Sequence, residues 1–192
     1  MQNPFLVGEK LYLRPLERGD AAQLSTWINN REVTRFLKPH RPVNLQSQEE
    51  FIEHSRKSTS DVVFGVVAKD NDRLIGCTGL HDFDQVNRHC FLGILIGDTT
   101  NWGKGYGTEA IRLVTKYAFE SLNFNRVWLH VYDFNERGIK AYEKVGFKRE
   151  GVLRQHTYRE GRYHDVLSMA ILRSDWDEAQ RPPSTKKLVP AF

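Results

Sequence analysis

Two hydrophobic periods alternate along the chain. Residues 10–16 (KLYLRPL) alternate apolar and polar positions as a strand does, and after Asp20 the residues Ala21, Leu24, Trp27 and Ile28 recur at helical spacing. Asp20 is the expected cap of that first helix. A short helical piece over residues 32–36 ends before Pro39 and Pro42, and Ser47 opens another helix with Phe51 and Ile52 turned inward. These proline-punctuated segments predict a lid. Residues 62–68 (VVFGVVA) and 73–80 (RLIGCTGL) flank the turn-rich 69–72 and predict an antiparallel hairpin, with 89–97 as the next antiparallel strand. An amphipathic helix follows over 108–122, then a strand over 126–131 (RVWLHV) and a helix over 135–145. The last hairpin pairs 147–158 with 162–172 across Glu160-Gly161. Beyond Trp176 the sequence turns proline-rich and charged. The expected organisation is one domain over residues 1–176 and a tail over 177–192, mobile or packed on a partner.

Composition narrows the class. At 192 residues, 40% hydrophobic and 27% charged, the chain can bury a core without disulfide or metal staples. No apolar run approaches the roughly 18 residues of a membrane helix, and the opening MQNPFLVGEKLYLR lacks the apolar segment of a secretory leader. A cytoplasmic protein without membrane contact is expected. The net charge of +4, from 28 basic and 24 acidic residues, is too small and dispersed for a nucleic-acid surface, but suits a small polyanionic ligand. Cys77 and Cys90 sit in strand-like runs with no CxxC or ligand cluster, so they read as buried apolar residues and no metal site is expected.

The stretch with the most chemistry is Trp102-Gly103-Lys104-Gly105-Tyr106-Gly107-Thr108, between a strand-like run and a helical one. Three glycines strip side chains from a helix start and leave backbone N–H groups free for an anion at the positive end of the helix. A Walker A loop is excluded, because Asp98 stands where its first glycine belongs and Gly105 where its Ser or Thr belongs. A dinucleotide fingerprint fits better: Gly105, Gly107 and Ala110 match G-x-G-x-x-A, and Asp133 follows the next strand. Residues 98–104 separate it from its strand, however, and antiparallel hairpins flank the single βαβ-like unit. An NAD(P)-dependent enzyme is therefore a third reading.

Three segments together carry a family resemblance across about residues 10–176. They are the WGKGYGTEA loop, the run Asn135-Glu-Arg-Gly-Ile-Lys-Ala-Tyr142-Glu-Lys-Val-Gly146-Phe147, and the opening LYLRPLERGD with its tryptophan-bearing helix. The chain resembles the GNAT superfamily of acetyl-CoA-dependent N-acetyltransferases, and within it the RimJ/RimL ribosomal-protein branch. The resemblance implies an α/β fold (α+β by some schemes) with a mixed twisted sheet of about seven strands and flanking helices. It also implies acetyl-CoA as co-substrate and a small-molecule or peptide amine as acceptor. A homodimer is the family habit, and the apolar end LVPAF suits such an interface. The alternative is a non-catalytic acyl-CoA-binding or scaffold module.

By the same resemblance, Trp102, Gly103, Lys104, Gly105, Tyr106, Gly107 and Thr108 hold the pyrophosphate. Ile94, Leu95 and Ile96 offer backbone hydrogen bonds to the pantetheine arm, where two strands splay apart. Asn135, an ordinary helix cap by position, adds a side-chain hydrogen bond to the co-substrate. Tyr142 belongs by spacing to an apolar helix stripe with Ile139 and Val145; the resemblance makes it the general acid for the departing thiolate. Two departures stand out. Trp102 occupies a position where relatives often have Arg or Gln, and Phe91 one where they often have a glutamate base. His81, Asp82, Asp84, His130 and a water chain remain as candidates for the base. A thioester needs no protein nucleophile, so the absence of a Ser/His/Asp constellation is no objection.

Overall fold

The alternating segments pair into one eight-stranded sheet. In a computed structural model describing residues 1–180, the strand order is β1-β2-β3-β4-β5-β6-β8-β7. The strands are β1 (Leu6–Val7), β2 (Leu11–Pro15), β3 (Val62–Ala68), β4 (Arg73–Asp84), β5 (His89–Ile96), β6 (Arg126–Tyr132), β7 (Lys148–Arg159) and β8 (Arg162–Leu172). The helices are α1 (Ala21–Asn29), α2 (Arg31–Thr34), α3 (Leu45–Lys57), α4 (Tyr106–Glu120), α5 (Glu136–Val145) and α6 (Arg173–Gln180). The eighth strand, β1, is two residues long and pairs only Leu6 with Leu13 and Val7 with Tyr12, too short to leave a period in the sequence. The expected tail overlaps α6 up to Gln180, and its remaining residues, 181–192, lie outside the described residues.

Six of the seven strand pairings are antiparallel, and only β5 and β6 run parallel. A doubly wound dinucleotide sheet needs successive parallel strands, so the NAD(P) reading fails on topology. The parallel pairing is brief. It joins His89 to Arg126, Cys90 to Val127 and Phe91 to Trp128, then stops. Beyond it β5 follows β4 as far as Ile96 opposite Gly76, while β6 follows β8 as far as Tyr132 opposite Val166. The two strands part, and a gap opens between their C-terminal halves.

Helix α4 buries Ala110, Ile111, Val114, Ala118 and Phe119 in the main core, which also takes Leu92, Leu129, Tyr142 and Met169 from neighbouring elements. A second core gathers Ala21, Leu24, Trp27, Val33 and Ile52 of α1–α3 around Leu95 of β5. The expected lid is therefore packed onto the strand that borders the gap. Gly97 makes this approach possible, because a Cβ there would lie 2.0 Å from the Trp27 ring. Three local expectations change. Asp20 does not cap α1 with its side chain; it pairs with Arg14 at 2.7 and 2.8 Å and accepts from the Glu17 N–H at 2.8 Å, closing the turn before the helix. Asn44 rather than Ser47 caps α3, accepting from the Ser47 N–H at 2.8 Å. Ile52 is buried but Phe51 is 37% exposed, because adjacent helix positions face about 100° apart. Glu160 and Gly161 both take positive φ, as a tight primed hairpin turn requires.

Candidate active site

The gap between β5 and β6 opens into a cavity of about 660 Å³. Ile94, Leu95 and Ile96 line one wall, His130, Val131 and Tyr132 the other, and Asn135 and Tyr142 of the α5 segment join the second. The loop before α4 closes one end through Trp102, Gly103, Gly105, Gly107 and Thr108. Ten of the twelve residues expected at the site thus share one cavity. The other two do not line it. The Lys104 carbonyl accepts from Lys10 Nζ at 3.3 Å, and Tyr106 is buried in the main core at 8% exposure.

Local chemistry shapes the loop. The Asp98 carboxylate accepts from the Thr100 N–H at 3.0 Å and starts a tight turn, whose end at Trp102 donates to the Thr99 carbonyl at 3.1 Å. The Trp102 indole N–H donates to the Ile96 carbonyl at 2.8 Å, tying the loop to the free end of β5. Gly103 and Gly105 then adopt φ of 76° and 91°, a region closed to most side chains. Gly105 caps α4 with no side chain to accept from the first-turn amides, which are left for a ligand. A Cβ on Gly103 would meet nothing within 4 Å, and one on Gly107 would stop 3.8 Å from Ile96 Cγ1. The space before these amides is open. A pyrophosphate fits here, with an extended arm running into the gap between the strands.

Arg137 is the residue that the sequence reading passed over. Its guanidinium lies 3.5 Å from the centroid of the Trp102 ring and 5.5 Å from that of Phe36, and it lines the cavity. It forms no hydrogen bond or ion pair among the described residues, and desolvation lowers its pKa against the weaker upward pull of Glu32. A signal was available: Arg137 is a cation in the first turn of α5, where the helix dipole disfavours it unless an anion is near. Asn135 caps the same turn, accepting from the Gly138 N–H at 3.0 Å. Gly138 permits this fold-back, since a Cβ there would lie 2.6 Å from Asn135 Nδ2.

Tyr142 is 8% exposed, with its ring 5.9 Å from that of Phe147, and burial pushes its phenol up to about 12. Its hydroxyl has no hydrogen-bond partner among the described residues. Burial likewise pushes the Cys77 and Cys90 thiols up to about 12, which leaves both unreactive as nucleophiles. Of the candidate bases, only His130 lines the cavity, packed between Phe91 and Trp128. Its pKa is lowered from 6.5, first by burial and then by the charges of Lys38 and His156. His81 instead sits 3.3 Å from Asp61, and Asp84 accepts two bonds from Asn87. Glu109 accepts the Lys10 N–H at 3.0 Å and fastens α4 beside the β1–β2 turn. Among the described residues there is no group of three His, Cys, Asp or Glu placed to hold a metal, and no helix is long and apolar enough to cross a membrane.

A splayed mixed sheet, a glycine loop with free amides and a through-going gap define an acyltransferase that binds a nucleotide-linked thioester. Comparison with known proteins agrees. Residues 10–148 match the acetyltransferase (GNAT) domain. The N-acetyltransferase p20 of Bacillus licheniformis is 29% identical over 174 residues, covering 89% of this chain and 97% of that protein. The spermidine N(1)-acetyltransferase of Vibrio cholerae is 30% identical over 170 residues, covering 88% and 97%. A crystal structure of spermidine N-acetyltransferase from Vibrio cholerae in complex with CoA and spermine superposes with a TM-score of 0.80 at 30% identity, covering 88% of this chain and 99% of the other.

The chain belongs to the GNAT acetyltransferase family. It is an enzyme that transfers an acetyl group from acetyl-CoA to a primary amine. The RimJ/RimL placement does not hold, because spermidine acetyltransferases stand among its similar relatives and dominate the similar structures. The physical reason is plain. The glycine loop and the Asn135–Phe147 run both border the donor end of the cavity, so they carry little information about the acceptor.

Proposed function

We propose that this chain acetylates the primary amine of a small acceptor, with donor and acceptor meeting in the gap between β5 and β6. The observation that carries the proposal is the reach of β5 beyond Phe91, paired with β4 but open on the β6 side, bordered by the uncapped amides of α4 and by Tyr142. Acetyl-CoA supplies an acyl carbon already activated as a thioester. The amides of residues 103–107 and the Arg137 guanidinium receive its pyrophosphate, and Trp102 holds Arg137 in place, so that α5 supplies a cation to a cavity that the loop's own Lys104 does not line. Backbone groups of Ile94, Leu95 and Ile96 align the arm.

The amine nitrogen bonds to the acyl carbon as the carbon–sulfur bond breaks. Tyr142 donates its phenolic proton to the departing sulfur, and the ammonium proton leaves through His130 or through water. Because His130 has a lowered pKa, it stays neutral and able to accept near neutral pH. Polyamines, the acceptors named for several relatives, are the reference against which the acceptor should be compared. Self-association also belongs to this reading. Strand β7 is a sheet edge with Val152 and Leu153 exposed, and one similar structure is described as a dodecameric spermidine N-acetyltransferase. The deciding experiment is acetyl-CoA-dependent thiol release across N-terminal peptides, polyamines, amino sugars and amino acids. Release with one class supports the proposal; no release with any of them, alongside tight CoA binding, would refute catalysis.

A further inference from the structure

The cavity changes character from one end to the other. Around the donor end it is lined by Arg137, Lys140 and Lys144 and by one carboxylate, Glu136, which lies 3.6 Å from the Lys140 ammonium. At the other end, among Leu37, Phe91, His130 and Tyr132, the charged lining residue is Lys38. Its ammonium lies 5.3 Å from the centroid of the Phe91 ring and forms no hydrogen bond or ion pair among the described residues.

The backbone around Lys38 is held in place. The Arg159 guanidinium donates to the carbonyls of Leu37, Lys38 and Pro39 and contacts His40, while the Tyr132 hydroxyl donates to the Leu37 carbonyl at 3.2 Å. Three carboxylates on neighbouring elements are committed elsewhere, and Glu32 and Asp82, which form no ion pair among the described residues, do not line the cavity. Glu160 pairs with Arg35 at 3.1 Å, Asp61 with His81 at 3.3 Å and Asp133 with His164 at 3.4 Å. A polyamine, carrying several ammonium groups near neutral pH, would meet a cation and aromatic rings in the lining here, and no carboxylate.

We infer that the acceptor of this enzyme is a primary amine whose small skeleton also bears an anionic group, a carboxylate or a phosphate, received by Lys38. This rests on the acetyl-transfer reading and concerns the acceptor end alone. An ammonium on a flexible stem suits either anion, and its attraction places the amine of the same molecule in the gap beside His130. The charge also selects, because a second ammonium in place of the anion would be repelled.

The test compares thiol release by wild-type enzyme and Lys38→Glu with four amines: an amino acid, an amino-sugar phosphate, an uncharged-tail monoamine and spermidine. The wild type should favour an anionic amine over the monoamine by about tenfold or more in kcat/KM, with spermidine below both. Whichever anionic amine leads identifies the anion. Lys38→Glu should reverse the order of the anionic amine and spermidine. KM for the anionic amine should rise with salt in the wild type and lose that dependence in the variant, a response that a merely structural lysine would not produce. A wild-type preference for spermidine, or an unchanged ratio in the variant, would overturn the inference. Calorimetry of the same amines with the CoA-bound protein separates the two readings. Lack of turnover with every amine would refute acetyl transfer, and the binding order would still decide the charge preference.

Discussion

Replacing Tyr142 by Phe keeps the ring in its packing and removes one hydroxyl. That hydroxyl belongs to a cavity-lining residue and has no hydrogen-bond partner among the described residues, so its loss should change stability by less than about 1 kcal/mol. Catalysis should respond far more strongly. A phenol at about 12 is a poor donor to a solvated thiolate with a reference pKa near 8.5, since the gap of about 3.5 units amounts to roughly 5 kcal/mol. The leaving sulfur departs inside the same apolar gap, however. Burial pushes the thiols that the protein itself holds, Cys77 and Cys90, up to about 12, and a sulfur leaving in a water-poor gap is raised in the same direction. Acid and leaving group are then matched, and transfer costs little. Stopped-flow or coupled thiol release at saturating acetyl-CoA should show Tyr142→Phe slower by about 10²–10⁴-fold, the usual contribution of a general acid, with CoA affinity within about twofold of wild type. The phenol stays protonated well past neutrality, so the deficit should hold steady from about pH 6.5 to 9.5. Equal turnover would remove Tyr142 as the acid. A deficit that vanishes between about pH 8 and 9, where an exposed thiol ionises, would show that the sulfur leaves into water and refute the matching argument.

Arg137→Leu should weaken CoA binding by about tenfold or more, the worth of a charge-assisted phosphate contact, while an acetyl-pantetheine donor lacking the pyrophosphate should show the same KM in both proteins. A loss shared by both donors would assign Arg137 a folding role instead. Gly97→Ala should lower the melting temperature by several degrees, because its Cβ would lie 2.0–2.5 Å from three Trp27 ring atoms and overpacking of this kind costs about 1–3 kcal/mol. An unchanged melting curve would mean that α1 can shift away at no cost.

The sequence pointed to the residues at the end of the cavity proposed for the donor and passed over those at the other end, and the difference is physical. Backbone chemistry leaves a strong trace. An anion loop needs glycine at positions of positive φ, and Gly103 and Gly105 sit at such positions. The Gly146 turn and the Asn135 cap are fixed by their own geometry in the same way. Side-chain pairings between distant segments leave none. Asp20 looked like a helix cap because its partner, Arg14, is recognisable only once β2 and α1 are folded together. The role of Trp102 was equally hidden, because its stacking on Arg137 joins residues 35 positions apart, and a family habit at one position says nothing of a cation supplied from another element. Lys38 lies just before Pro39 in a segment without a period, so only folding shows which cavity it borders. The branch assignment erred for a related reason: two of its three segments border the end of the cavity proposed for the donor, and the third, the opening strand and the Trp27 helix, does not line the cavity.

Strand β5 presents different neighbours on its two faces: Leu92, Ile94 and Ile96 pack with the main core, while Leu95 packs with Trp27, Val33 and Ile52 of the helical cap. One strand is thus the common datum from which both halves of the reaction are measured. The cap can change its surface residues, and with them the amine that is admitted, while Leu95 keeps it registered against the strand that aligns the thioester. Such an arrangement would make the acceptor pocket an interchangeable fitting on a fixed chassis, a surface free to vary among proteins about 30% identical over nearly their whole length.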